Sequence, residues 1–106
     1  MTAVSLFLRY HTANALPTAE GAIQIAMEEL PITLHDARAL VIGFGRLGRA
    51  LAPRLRALGA RVWVSARRYE QRAAAESMGL GSEGVTRLSD WLCSYDLVFN
   101  TVPAPV

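Results

Sequence analysis

At 106 residues with 52% of them apolar, the chain is sized for one small domain around a modest core, which excludes a disordered tail. Its net charge of +2 comes without any basic stripe interleaved with aromatics, which argues against a nucleic-acid partner. A single cysteine, Cys93, excludes an internal disulfide and a zinc cluster, and no apolar run approaches the roughly 18 residues of a membrane span.

These priors set the expectations of no bound metal, no membrane partner and a cytoplasmic location, with Cys93 a small core residue. All the cationic side chains besides histidine are arginines, since the chain contains no lysine. The start, "MTAVSLFLRYH", has a short apolar patch but neither the basic leader nor the cleavage site of a signal peptide.

In chain order, residues 1–16 carry no decisive pattern, because "VSLFL" fits a strand or a helical turn equally. A helix is expected over 17–31. Thr18 follows Pro17 as N-cap, Glu20 adds negative charge to the first turn, and Ala19, Ala22, Ile23, Ala26, Met27 and Leu30 recur at helical spacing up to Pro31. The link "ITLHDAR" is turn-rich and makes His35 a capping or surface residue rather than a proton carrier. Ala39 to Ile42 then read as a strand covered on both faces. From Arg46 to Leu58 the pattern is helical, with Leu47, Ala50, Leu51, Leu55 and Leu58 on one face and Gly59 as the stop. Pro53 falls inside that helix and is expected to kink it, at a cost of about 3 kcal/mol in an unadapted site. "RVWVS", Arg61 to Ser65, is rich in strand-forming residues. A polar helix from Tyr69 to Met78 ends at Gly79. The stretch 80–88 has room for one short strand, 89–95 reads as a helical turn capped by Ser89, and Leu97 to Asn100 form a fourth strand.

Alternation of this kind predicts an α/β chain: a Rossmann-like, doubly wound parallel sheet with right-handed crossovers. The expected strand order is 3-2-1-4, counted from Ala39, preceded by a linker helix. The corresponding division is an uncertain segment 1–16, an inter-domain helix 17–31 and a partial dinucleotide-binding domain 37–106. With only about four strands the sheet is incomplete, and Leu97 to Asn100 would form an unprotected apolar edge. The chain is therefore expected to be a fragment, inactive alone, or to be completed by a partner.

Gly43, Gly45 and Gly48 form G-x-G-x-x-G between a strand and a helix, the context that gives this pattern meaning. Gly43 permits the tight turn, Gly45 lets backbone approach a pyrophosphate, and Gly48 lets the helix lie close on the sheet. Phe44, Arg46 and Leu47 complete the turn, whose amides and helix dipole attract phosphates. At the end of the next strand, an NAD site usually keeps a carboxylate for the ribose hydroxyls. Here "SARR" stands instead: Ser65, Ala66, Arg67 and Arg68. Without an anion to repel a 2′-phosphate, and with two arginines and a hydroxyl to bind one, the expected cofactor is NADP(H) in preference to NAD(H). Ligands in such sheets lie at the carboxyl ends of the strands, so Asn100, Thr101, Val102 and Pro103 are also expected beside the cofactor.

The segments "ALPTAEGAIQIAMEELPITLHDARALVIGFGRLGRALA", "LGARVWVSARR", "MGL" and "DLVFNTVP" closely resemble the family of the A-type subunit of dipicolinate synthase. The resemblance spans Leu6 to Pro103, and its P-T-A-E-G block is more specific than the glycine turn. It implies an oxidoreductase that converts a dihydrodipicolinate-level precursor to dipicolinate with NADP⁺ for spore formation, working as a homo-oligomer or with a flavoprotein-like B-type subunit. It also implies that Thr18, Glu20 and Gly21 lie at a hinge where substrate is held; it transfers no catalytic residue. Compared with that family, a domain before Met1 and the last strands after Val106 are expected to be missing. Two other readings stand beside it: the cofactor domain of a D-2-hydroxyacid dehydrogenase, which favours an acid near position 66, and a non-catalytic NADP(H)-sensing module.

Overall fold

The computed structural model describes residues 4–7, 15–29, 33–83 and 95–101. Among the described residues five strands form one parallel sheet: β1 (Val4–Phe7), β2 (Arg38–Ile42), β3 (Arg61–Ser65), β4 (Gly81–Glu83) and β5 (Leu97–Asn100), in the order β1-β5-β2-β3-β4. The expected 3-2-1-4 order is present as β4-β3-β2-β5. The fifth strand corrects the expected open edge. Val4–Phe7 pairs in parallel register with Leu97–Asn100, so β5 is an interior strand with β2 on its other side. The short strand expected somewhere in 80–88 is β4. The turn expected at 89–95 lies largely outside the described residues.

Alternation along the strands sorts side chains to two faces. Ala39, Val41, Val62, Val64, Leu97 and Phe99 enter one core cluster with residues from all three described helices, α1 (Ala15–Glu29), α2 (Arg46–Ala57) and α3 (Tyr69–Ser77). Leu40, Ile42 and Val98 form a second cluster on the other face with Tyr95, against which Trp63 packs edge-on with 5.6 Å between ring centroids.

Helix α1 starts at Ala15, two residues before the expected bound. Pro17 therefore sits inside the first turn, where its missing N–H has no carbonyl to bond in any case. Thr18 is accordingly not the N-cap, and Glu20 falls beyond the first turn. Ala19, Ala22, Ile23 and Ala26 are buried as expected, but Met27 is 53% exposed. Helix α2 buries Leu47, Ala50, Leu51 and Leu55 as expected and remains α-helical on both sides of Pro53. Leu58 departs from the expected stripe: it is the C-cap of α2 and 47% exposed. Both α2 and α3 end as the glycines imply. The Gly59 and Ala60 amides bond the Arg56 and Leu55 carbonyls, and the Gly79 and Leu80 amides bond those of Glu76 and Ala75.

The difference between the two leucines of α2 is testable. Leu51→Ala, at a fully buried site, is expected to cost about 2–5 kcal/mol in urea unfolding. Leu58→Ala is expected to cost less than about 1 kcal/mol, and equal losses would contradict the assigned helix face.

Candidate functional site: the glycine turn at the carboxyl edge of the sheet

The chain leaves β2 at Ile42 and turns through Gly43 and Gly45 into α2. Gly43 has φ +97°, a conformation that a side chain disfavours. Its N–H donates to the Ser65 carbonyl at 2.7 Å, which ties the turn to the end of β3. Gly45 is the N-cap residue in extended backbone, and its carbonyl accepts the Arg49 amide at 2.9 Å. A Cβ built on Gly45 would meet nothing within 4 Å, so space lies open in front of the turn. Gly48 is the opposite case. A Cβ there would collide with the Gly43 carbonyl oxygen and come within 3.4 Å of Thr101 Oγ1. The first turn of α2 thus lies directly on the end of β2, which sets the positive end of the helix dipole at the open space.

Thr101 closes the junction from the β5 side. Both its N–H and its Oγ1 donate to the Ile42 carbonyl, at 2.9 and 2.7 Å, and Oγ1 lies 3.4 Å from the Gly43 carbonyl. The hydroxyl is thereby engaged in fixing the turn. Asn100, one residue earlier, is buried at the end of β5.

The remaining residues selected from the sequence divide by exposure. Phe44 and Leu47 are buried in the core, so only their backbone faces the turn. Arg46 is exposed, as is Arg49, whose guanidinium lies 5.9 Å from the centre of the Phe44 ring. At the end of β3, Ala66 is buried while Arg67 and Arg68 are exposed. Ser65 is 0% exposed and its hydroxyl has no hydrogen-bond partner, so its side chain is enclosed rather than presented to solvent. Val102 and Pro103 lie outside the described residues. Glu20 is placed apart from the turn: its carboxylate is 4.0 Å from Arg54 Nε. Arg54 is eight residues beyond Arg46, about 12 Å along α2. Gly21, on the same helix as Glu20, is half-buried with nothing within 4 Å of a Cβ built there.

Arg72 joins the site without having stood out in the sequence. From the start of α3 its NH1 donates to the Ala66 and Arg67 carbonyls at 2.8 and 2.9 Å. In the sequence it is one more arginine on a polar helix; only its position one turn after "SARR" hinted at such a contact. Among the described residues there is no cluster of side chains suited to a metal ion, and no helix is long and apolar enough to cross a membrane.

A positive-φ glycine, a helix N-terminus pressed on a strand end and cleared space before it make a cradle that fits a dinucleotide pyrophosphate. Comparison with known proteins agrees. The family model described as D-isomer specific 2-hydroxyacid dehydrogenase, NAD binding domain, matches residues 2–105, and the chain belongs to that family. Among curated proteins it is similar to the A-type subunit of dipicolinate synthase from Bacillus subtilis, with 35% identity over 97% of this chain and 35% of that protein. It also resembles glutamyl-tRNA reductase of Methanopyrus kandleri, with 34% identity over 87% of this chain and 23% of that protein. In three dimensions it superposes on the A-type subunit of dipicolinate synthase from Bacillus halodurans with a TM-score of 0.84 and 36% identity, covering 88% of this chain and 32% of that one. The chain thus spans about a third of the dipicolinate synthase subunits that it matches. The resemblance read from the sequence holds, and a nicotinamide dinucleotide is the cofactor class that the family supports.

The two glycines make opposite predictions. Gly45→Ala should leave the melting temperature nearly unchanged but lower dinucleotide affinity at least about tenfold, since the methyl enters the ligand's space. Gly48→Ala should destabilise the fold itself by about 1–3 kcal/mol. Calorimetry and thermal melts of the two variants separate these effects.

Proposed function

We propose that this chain is the NADP(H)-binding portion of an oxidoreductase like the A-type subunit of dipicolinate synthase. The observation that carries the reading is the end of β3, where an apolar, buried Ala66 and two exposed arginines occupy the place in which an NAD site keeps a carboxylate. Arg67 and Arg68 would hold the 2′-phosphate by charge-assisted bonds, and the amides of the Gly43–Gly48 turn would hold the pyrophosphate. Thr101 acts by keeping that turn in shape. Bound there, the cofactor supplies hydride acceptance at its nicotinamide ring.

The wider reading rests on likeness to the Bacillus proteins. The reaction is oxidation of a dihydrodipicolinate-level precursor to dipicolinate, in the cytoplasm of a spore-forming cell, in a homo-oligomer or with a flavoprotein-like second subunit. In this reading α1 joins the dinucleotide domain to a further domain, with Thr18, Glu20 and Gly21 near the substrate. Exposed Ile25 and Met27 on α1 accord with such a junction. A D-2-hydroxyacid dehydrogenase cofactor domain is the second reading, favoured by the family description. It predicts NAD preference, against which the missing carboxylate counts.

Calorimetric titration decides between them. A charge-assisted hydrogen bond contributes about 1.5–3 kcal/mol, so NADPH is expected to bind at least about tenfold more tightly than NADH. Arg67→Glu should abolish or reverse that preference while leaving NADH affinity within about threefold. Equal affinities in the unaltered chain remove the basis for NADP(H).

A further inference from the structure

The turn that carries Arg67 and Arg68 has its carbonyls held on one side. Arg72 NH1 bonds the Ala66 and Arg67 carbonyls at 2.8 and 2.9 Å. The Arg68 carbonyl accepts the amides of Gln71 and Arg72, both at 3.1 Å. Three consecutive carbonyls, from 66 to 68, therefore point toward the start of α3. The described backbone has no cis peptide, and in a trans peptide the N–H points opposite to the C=O. The amides of Arg67, Arg68 and Tyr69 are consequently turned away from α3, at the end of the helix where its dipole is positive. The Arg67 and Arg68 side chains stand exposed beside them. Glu70 is the one acidic residue in that first turn of α3.

We propose that Arg72 is a positioning residue that sets the cofactor preference of this chain. One guanidinium nitrogen, NH1, donates to two successive carbonyls at once, so the turn stays in the arrangement that offers amides and guanidinium groups together to a phosphate monoester on the adenosine ribose. A lysine in its place keeps the charge and the donors, but its ammonium sits one bond nearer the backbone than the NH1 that reaches both carbonyls. A methionine keeps the length and loses both charge and donors. The inference rests on the NADP(H) reading above, and deepens it by assigning the residue that orders the specificity turn.

The test is titration of NADPH and NADH into the 106-residue chain, unaltered and with Arg72→Met or Arg72→Lys, each checked for folding by thermal melt. Arg72→Met is expected to weaken NADPH about tenfold and NADH less than about threefold, so that the ratio of affinities collapses. Arg72→Lys is expected to recover only part of that ratio, and it supplies the comparison should the methionine variant fail to fold. A ratio unchanged in either folded variant, equal weakening of both cofactors, or full recovery by lysine overturns the assignment. Failure of the underlying reading is visible separately, because the unaltered chain would then show no preference for NADPH, which overturns both.

Discussion

The site depends on a contact with no side chain in it. The Gly43 carbonyl and the α-carbon of Gly48 approach so closely that a methyl group on Gly48 cannot be accommodated. That approach presses the first turn of α2 onto the end of β2 and sets the N-terminus of the helix at the edge of the sheet. The surrounding bonds serve the same junction. Gly43 N–H holds the end of β3, and Thr101 holds the Ile42 carbonyl with both of its donors. Loss of this geometry would leave an α/β sheet with nowhere to set a diphosphate.

Around that junction the electrostatics point one way. Arg46 and Arg49 stand exposed on the first turn of α2, while Arg67 and Arg68 stand exposed after β3. Helix dipoles and guanidinium groups add at short range, where a phosphate displaces water, and each counts for more than it would free in solution. The two arginine groups have different tasks. In the proposed function, those by the glycine turn flank the pyrophosphate, and those after β3 discriminate at the ribose. The buried, unpaired Ser65 hydroxyl lies at the same strand end, an arrangement that costs about 1–3 kcal/mol when no partner is present.

Much of this was legible in the sequence because it is local. A glycine spacing between an apolar run and an amphipathic stretch specifies strand, turn and helix within some twenty residues, and the missing acid at Ala66 is a single-position signal. Strand order followed from alternation, since short right-handed crossovers leave few other arrangements. What escaped was long-range or backbone-directed. Pairing of Val4–Phe7 with Leu97–Asn100 joins residues more than ninety positions apart, and nothing in "VSLFL" encodes its partner. Leu58 has the spacing of the buried stripe but falls on the C-cap, where the helix unwinds and the side chain swings out. Arg72 was invisible for another reason: an arginine that bonds carbonyls behind it has the same sequence signature as one that faces water.

The most direct test of the account is backbone amide NMR of the chain titrated with NADP⁺. The largest shift changes are expected on Gly43 to Gly48 and on Ala66 to Tyr69, saturating together at one affinity. Saturable binding with those two stretches unmoved, and the changes gathered elsewhere on the domain, would contradict it.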